Sequence, residues 1–227
     1  MTAVAPTQQP PLSISKPIPI MPLGDSITEG SEDFAVYRYP LMEKLSSSGY
    51  AVEFVGTRTT QGRPESPFGV LRHEGYSGRN IEFIEGIFEE VYRQNPADIL
   101  LFHAGHNHSI EENPVAGMIR ATRSVIAKAR SINPHVTVLL AQVIPSGKLP
   151  KYAYQPEFNR AIAALVVELN TPAQPVVLVN QAEGFDWKTD TIGDYVHPNA
   201  QGAEKMAEKW FQVLKCILPC PAPLKPE

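Results

Sequence analysis

A serine, an aspartate and a histidine in this 227-residue chain have the residue types and spacing that nucleophilic catalysis requires. Ser26 lies in the turn Gly24-Asp25-Ser26 directly after an apolar run, where its hydroxyl can project. Asp194 stands three residues before His197, so in a loop its carboxylate can turn back and hold the imidazole Nδ1–H. Nε2 is then free to take a serine proton. The alternatives are a helix cap at Ser26 and a capped helix start beside a surface histidine.

Two further segments contain groups that can stabilise a developing oxyanion. Gly105-His106-Asn107 follows another apolar run, and an asparagine side chain there can donate from its amide. The segment 75–78 (GYSG) precedes Asn80, which predicts a helix cap, and a backbone N–H at a helix entrance is a second possible donor. Each segment taken alone is also typical of an ordinary glycine-rich turn.

Five short apolar runs alternate with amphipathic segments that have helical spacing, and this alternation predicts the elements that position these residues. It is typical of an α/β protein, a three-layer α/β/α sandwich with a five-stranded parallel sheet and no second domain. The predicted strands span 18–23, 52–55, 98–103, 136–141 and 176–179, and the predicted helices span 39–48, 113–129, 156–169 and 199–214, with a further helix capped by Asn80.

Three connections in this pattern are long and irregular: 56–78, 143–155 and 184–198. All three follow strands, and connections of this length in a compact domain are uncommon unless they are functional or disordered. Ligands of open parallel sheets bind outside the carboxyl ends of the strands. The sequence therefore predicts a site at that edge, formed by these connections.

Charge and hydropathy exclude several classes of function. The formal net charge is −4, and no cluster of five or more basic residues provides the positive field that nucleic acid or an anionic membrane needs. No apolar run approaches the ~18 residues of a membrane span. Two cysteines, Cys216 and Cys220, are too few for a thiolate zinc site, and the sequence leaves open whether they are bonded.

Proline marks the two ends of the chain. Of 22 prolines, six lie in residues 1–22 and four in residues 219–227. We therefore predict a proline-rich arm at 1–17, one globular domain at 18–218 and a proline-rich tail at 219–227. No basic segment followed by an apolar core begins the sequence, so we expect a cytoplasmic protein, or a secreted one if this is a mature form.

The four segments together resemble the SGNH hydrolases, also called the GDSL esterase and lipase superfamily, over roughly residues 18–214. Residues 21–30 (MPLGDSITEG) are similar to the first family block, Gly78 to its invariant glycine, and Asp194 and His197 to its D-x-x-H block. Gly105 and Asn107 are similar to its G-x-N block. The resemblance implies a flavodoxin-like fold and no cofactor.

The resemblance also implies a role for each matching residue. Ser26 would be the nucleophile, His197 the general base and acid, and Asp194 its orienter. Ser26 N–H, Gly78 N–H and the Asn107 side chain would form the oxyanion hole. One position departs from the family pattern: the family often has aspartate after this asparagine, whereas here His108 follows.

Three stretches are similar to the family-three carbohydrate esterases, acetyl xylan esterases and relatives that deacetylate plant polysaccharides: 21–30, 37–41 (YRYPL) and 73–78 (HEGYSG). This similarity implies a small acyl pocket, a sugar-facing cleft and an acetylated carbohydrate as substrate. The candidate substrate contacts are Asp25, Tyr37, Tyr76 and Tyr195, and further aromatic side chains in or beside the same loops that could stack on sugars are Tyr152, Tyr154 and Trp187.

Competing interpretations remain open at this stage. His103, His106 and His108 lie within six residues, a spacing that hints at metal ligation, although no acidic residue accompanies them before Glu111; we expect no metal. The same chemistry could act on a lipid ester or thioester, and the scaffold could be a glycan-binding module without catalysis. The sequence does not indicate an oligomeric state.

Overall fold

Seven β-strands form one sheet in this computed structural model, which describes residues 16–60, 67–69 and 71–220. The strands are β1 (Ile18–Gly24), β2 (Val52–Phe54), β3 (Arg58–Thr59), β4 (Arg72–Gly75), β5 (Ile99–His103), β6 (Thr137–Gln142) and β7 (Val176–Asn180). The helices are α1 (Ser26–Glu29), α2 (Arg38–Ser47), α3 (Ile81–Gln94), α4 (Val115–Ile132), α5 (Gln155–Leu169), α6 (Trp187–Asp190) and α7 (Ala200–Ile217), with a 3-10 turn at Ile110–Glu112.

Strand β1 is central in the sheet. It pairs in parallel with β5, which continues to β6 and β7, and its other edge is shared by two strands. The first half of that edge pairs with β2 and the second half with β4, both in parallel. The antiparallel strand β3 lies outside β4. The parallel α/β architecture and all five predicted strands are confirmed.

The predicted strand count was too low, because 56–78 contains β3 and β4 and is not wholly irregular. Residues 61–66 and 70 of this connection lie outside the described residues. Strand β4 lacks an apolar alternation, and its interior positions His73 and Glu74 are nevertheless fully buried. Each side chain has one partner two residues further along the chain, Gly75 for His73 and Tyr76 for Glu74, and one more distant partner, Thr60 for His73 and Thr57 for Glu74. Local hydropathy does not reveal the distant partners.

Alternating side chains of the parallel strands create two apolar cores, one on each face of the sheet. In β5, Leu100 and Phe102 face the core formed with α3, α4 and α5, whereas Ile99 and Leu101 face the core formed with α2 and α7. Trp210 of α7 is completely buried on the second face. Helices thus cover both faces, as the three-layer prediction requires.

Helix starts follow the predicted capping chemistry. The Asn80 side chain accepts the Phe83 N–H at 3.0 Å and caps α3, and Asn199 accepts the Gly202 N–H at 3.0 Å at the start of α7. Each asparagine satisfies an N–H that has no partner within the helix. These two helices begin immediately after segments that carry candidate site residues, so the caps fix where those segments end.

Most of the predicted N-terminal arm (1–15) and most of the predicted tail (221–227) lie outside the described residues, so the domain boundaries remain predictions. Within the described part of the chain, Cys216 and Cys220 are free and exposed. None of the described helices is both long enough and apolar enough to cross a membrane.

Candidate active site

The carboxyl ends of three adjacent strands deliver the candidate residues to one edge of the sheet. Ser26 follows β1, residues 76–78 follow β4, and Asn107 follows β5. The long connection after β7 brings Asp194 and His197 to the same edge. The candidate residues from four separate segments of the sequence therefore lie at one edge of the sheet.

Ser26 begins α1, a helix of four residues that starts immediately after β1. The chain must pass close to β5 here, because a Cβ on Gly24 would lie 2.1 Å from the carbonyl oxygen of His103. Asp25 caps the short helix by accepting the Ile27 N–H at 3.1 Å. Glycine therefore permits the close approach, and the cap fixes the turn that presents the serine.

The hydroxyl of Ser26 lies 2.8 Å from Nε2 of His197, although 171 residues separate the two positions. On the other side of the ring, Nδ1 of His197 is hydrogen bonded to Oδ2 of Asp194. The Phe34 ring stacks on the imidazole with ring centroids 4.2 Å apart. The three residues selected from the sequence are thus brought together in the order serine, histidine, aspartate.

The Asp194 carboxylate is fixed by its own turn. Its Oδ1 accepts the backbone N–H groups of Val196 at 2.9 Å and His197 at 3.0 Å. Partial burial would raise the pKa of Asp194, but the hydrogen bonds from His197 and these backbone groups outweigh it and lower that pKa. The carboxylate therefore stays ionised opposite the imidazole Nδ1.

The 75–78 turn is held from two sides. The Tyr76 N–H donates to the carbonyl of Gly24 at 2.9 Å, and the Ser77 N–H donates to Oε2 of Glu29 at 2.5 Å. Gly78 itself has φ +72°, and no acceptor for its N–H is found among the described residues. The turn thus holds Gly78 just beyond the end of β4, which pairs with the strand that leads to Ser26.

Asn107 is linked directly to this turn. Its side-chain Nδ2 donates to the carbonyl oxygen of Arg79 at 2.8 Å, which leaves the second amide hydrogen for another acceptor. Ser26 is the first residue of α1, so its own N–H has no acceptor within that helix. The three donors proposed from the sequence are the Ser26 N–H, the Gly78 N–H and the Asn107 amide. Their segments are hydrogen bonded to one another, through Asn107 to Arg79 and through Tyr76 to Gly24.

The structure contradicts two of the four candidate substrate contacts, Asp25 and Tyr37. Both are completely buried. The Asp25 carboxylate accepts backbone N–H groups from Gly105 and His106 at 3.1 and 3.3 Å, and the Tyr37 hydroxyl is hydrogen bonded to Thr28 at 3.2 Å. Both side chains act inside the fold, so neither contacts substrate in this conformation.

Tyr76 and Tyr195 remain candidates for substrate contact. Tyr195 is 49% exposed, between Asp194 and His197, and its ring lies edge-on to Trp187 with centroids 5.4 Å apart. Tyr76 is partly buried and donates its hydroxyl to Glu74. Of the other aromatic side chains considered, Tyr152 and Tyr154 are buried and Trp187 is partly buried.

Arg38 holds together backbone segments next to the candidate site, a role that the sequence pattern did not indicate. Its guanidinium is fully buried and donates to the carbonyl oxygens of Thr28, Glu29 and Leu71 at 2.7–2.9 Å. Burial lowers the pKa of Arg38 to about 10, and the group stays charged at neutral pH. It links the end of α1 to the residue before β4. In the sequence, only its place in the stretch 37–41, which is similar to the family-three carbohydrate esterases, pointed to Arg38.

The clustered histidines have separate partners. The His106 ring bonds through Nε2 to the carbonyl of Ile144 at 2.9 Å, and His103 is completely buried. His108 bonds to Glu82 and Glu112 at 2.8 and 2.7 Å. In the described ranges, no group of three or more His, Cys, Asp or Glu side chains is arranged to hold a metal ion.

Most of the chain matches one known family. The sequence model described as the GDSL-like Lipase/Acylhydrolase family matches residues 23–205, the span from the end of β1 into α7. The chain belongs to this family. It is thereby placed among the carboxylic ester hydrolases, and the resemblance to the GDSL superfamily drawn from the sequence is confirmed.

Several solved structures are similar to this GDSL-family chain over most of its length. A carbohydrate esterase family 3 structure from Talaromyces cellulolyticus shares 27% identity and a TM-score of 0.80, covering 88% of this chain and 97% of that one. An acetyl esterase mutant with an acetate ion shares 28% identity and a TM-score of 0.78, with coverage of 88% and 97%. The family 3 carbohydrate esterase of Clostridium thermocellum shares 26% identity and a TM-score of 0.77, with coverage of 90% and 100%.

A curated relative has a larger architecture. The multidomain esterase of Ruminococcus flavefaciens is 26% identical over 234 residues, which include 88% of this chain. This GDSL-family chain spans only 29% of the length of that relative.

Proposed function

We propose that this chain is a serine esterase that removes acetyl groups from xylan or a related plant polysaccharide. The observation that carries the proposal is the continuous hydrogen-bonded series from the Ser26 hydroxyl through His197 to Asp194. A serine activated by a histidine, itself oriented by a carboxylate, is the arrangement that acyl transfer needs.

The reaction has two halves. Ser26 Oγ attacks the ester carbonyl carbon while Nε2 of His197 takes the serine proton. The tetrahedral intermediate collapses, His197 gives that proton to the departing sugar oxygen, and an acetyl-serine ester remains. Water then attacks this ester with His197 as general base, acetate leaves, and Ser26 recovers its proton. Asp194 holds Nδ1–H and stabilises the imidazolium formed in each half.

Three donors support the negative charge that develops on the carbonyl oxygen. These are the N–H of Ser26, the N–H of Gly78 and the second amide hydrogen of Asn107. The hydrogen bonds already in place, from Asn107 to the Arg79 carbonyl and from the Tyr76 N–H to Gly24, fix these segments before substrate arrives. Preorganised donors of this kind need no rearrangement as the charge forms.

The substrate assignment is supported by exposed aromatic surface and by the relatives. Tyr195 lies on the backbone turn between the proposed orienter and the proposed base, so a sugar ring stacked on it would lie beside the reacting ester. Solved structures at 26–28% identity carry names that state carbohydrate esterase family 3 or acetyl esterase.

Acetate release tests the proposal. We expect release from acetylated xylan, measured beside acetylated pectin and simple sugar acetates, with Ser26→Ala protein as the blank. Within one assay series, Tyr195→Ala should raise KM for the polysaccharide and leave KM for an aryl acetate unchanged. No acetate from any carbohydrate, together with rapid hydrolysis of an aryl acetate, would reject the carbohydrate assignment alone.

A chain-length series decides between this substrate and the same chemistry on a lipid ester or thioester. We expect kcat/KM to be greatest for the acetyl ester and to fall steadily toward the octanoyl ester. A maximum at the longer chains would favour the lipid alternative, since it requires a long acyl pocket.

A further inference from the structure

His108, the residue at which this chain departs from the family pattern, bridges two carboxylates. Its Nε2 lies 2.8 Å from Oε2 of Glu82, and its Nδ1 lies 2.7 Å from Oε2 of Glu112. The imidazole side chain is only 7% exposed. Both ring nitrogens therefore face acceptors in a largely buried setting.

This arrangement favours the imidazolium. A neutral imidazole has one N–H, so it could donate to only one of the two carboxylates, and its other lone pair would face a negatively charged oxygen. Burial by itself lowers the pKa of His108, but the hydrogen bonds and charges of Glu82 and Glu112 outweigh burial and raise that pKa.

The two carboxylates belong to the segments on either side of the proposed oxyanion hole. Glu82 lies in the first turn of α3, four residues after Gly78. Glu112 ends the 3-10 turn, and its other oxygen accepts the Ser109 N–H at 3.0 Å. His108 therefore joins the start of α3 to the turn that follows β5.

Asn107 lies between two anchored neighbours. On one side, the His106 N–H donates to Asp25 and the His106 ring bonds to Ile144. On the other side, His108 is held by its two carboxylates. The bond from Asn107 to the Arg79 carbonyl and the bond between His108 and Glu82 both join the loop after β5 to the start of α3.

We propose that His108 is a positioning residue for the oxyanion hole: by bridging Glu82 and Glu112 it fixes the Asn107 amide relative to Gly78. This inference rests on the proposed function, because the position of Asn107 matters to catalysis only if its amide binds the oxyanion. His108 itself contacts neither substrate nor reacting atoms in this scheme.

The charged surroundings determine how this bridge responds to pH. Besides the two carboxylates, the charge of Arg120 on α4 helps to lower the pKa of Glu82. The Tyr154 ring lies edge-on to His108, with ring centroids 6.4 Å apart. Glu111, in the same turn, accepts from the Ser109 hydroxyl. When pH rises through the raised pKa of His108, one bridge hydrogen bond is lost, so kcat should decline on the alkaline side.

The first test is a pair of matched substitutions, His108→Gln and His135→Gln. His135 is exposed and makes no contact with the site, so its variant controls for the chemical change. We expect His108→Gln to lower kcat for an aryl acetate about 10–100-fold, the scale of a small misplacement of catalytic groups, with KM changed less than about twofold. His135→Gln should match the wild type.

The second test is the pH profile of Glu112→Gln. Removing one of the two carboxylates lowers the pKa of His108, so the alkaline decline of kcat should begin at lower pH than in the wild type. A decline at the same pH in both proteins, or in neither, would overturn the proposal. This measurement also decides the matter if His108→Gln does not fold.

Turnover by Ser26→Ala distinguishes failure of the proposed esterase function from failure of the positioning role of His108. If Ser26→Ala keeps wild-type turnover, the proposed function itself fails. If Ser26→Ala is inactive while His108→Gln keeps kcat within about twofold of His135→Gln, only the positioning role fails.

Discussion

The carboxylate of Asp25 accepts the backbone N–H of Gly105 at 3.1 Å across 80 residues of sequence. This bond joins the turn of the proposed nucleophile to the loop that carries Asn107. Burial would raise the pKa of Asp25, but hydrogen bonds from His106 and Gly105 outweigh it and hold that pKa well below its usual range. Asp25 thus fixes both the turn that carries Ser26 and the loop that carries Asn107.

Asp25→Asn should destabilise the protein and slow catalysis together. An amide cannot accept all the backbone N–H groups that the carboxylate accepts, and a hydrogen bond to a charged group is typically worth about 1.5–3 kcal/mol. We expect the free energy of unfolding to fall by about 2–4 kcal/mol in urea titrations. Asp98→Asn, at an exposed position before β5, should leave stability within about 0.5 kcal/mol of wild type; equal losses in both variants would contradict this role of Asp25.

Gly78→Ala and Gly86→Ala form a matched pair. Neither added Cβ meets another atom within 4 Å, but Gly78 has φ +72° whereas Gly86 lies inside α3. Alanine in the left-handed region costs about 1–2 kcal/mol, so we expect Gly78→Ala to be destabilised and to lose kcat. Gly86→Ala should gain about 0.5–1 kcal/mol, because alanine favours helix. Alanine keeps the backbone N–H, so a loss of kcat would report that this N–H moves as the strain is relieved. Equal stability of the two variants in urea titrations would contradict the left-handed backbone at Gly78.

Asn107→Ala should lower kcat by about 10²–10³ with little effect on KM, because it deletes one donor to the oxyanion. Asn95→Ala, at the far end of α3, serves as the control. Steady-state kinetics on an aryl acetate measure both variants. A purely KM effect in Asn107→Ala would indicate that Asn107 binds substrate and not the transition state.

Acid should destabilise the fold partly through His73. This buried ring accepts the Gly75 N–H and bonds to Thr60, and burial lowers its pKa from 6.5 to about 2. The unfolded chain then binds a proton that the folded chain does not, so this stabilisation is complete above about pH 6.5 and decreases as pH falls. His73→Gln should be less stable at neutral pH, with a slope between about pH 7 and pH 5 that is shallower by up to about 1.4 kcal/mol per pH unit. An unchanged slope in urea titrations would contradict the buried neutral histidine.

Local sequence signals were sufficient for the elements that bury apolar residues at regular spacing. β5, α3 and α7 all begin within a residue or two of the predicted positions, because hydrophobic periodicity and asparagine caps are local properties. The topology of a parallel sheet then made convergence of Ser26 and His197 at one edge predictable.

The parts that the sequence did not reveal depend on contacts between distant residues. Strand β4 buries His73 and Glu74, which depend in part on Thr60 and Thr57, more than twelve residues earlier in the chain. Asp25 and Tyr37 were expected to face substrate, yet their partners lie inside the fold. His108 has a partner 26 residues away, so nothing in the neighbourhood of the G-x-N block indicated its bridge to Glu82.

The decisive experiment is the turnover of an aryl acetate by Ser26→Ala protein. If Ser26 is the nucleophile activated by His197, the substitution should lower kcat by about 10⁶ in a protein that remains folded. Turnover close to that of the wild type would contradict the acyl-enzyme mechanism and the whole assignment of the site.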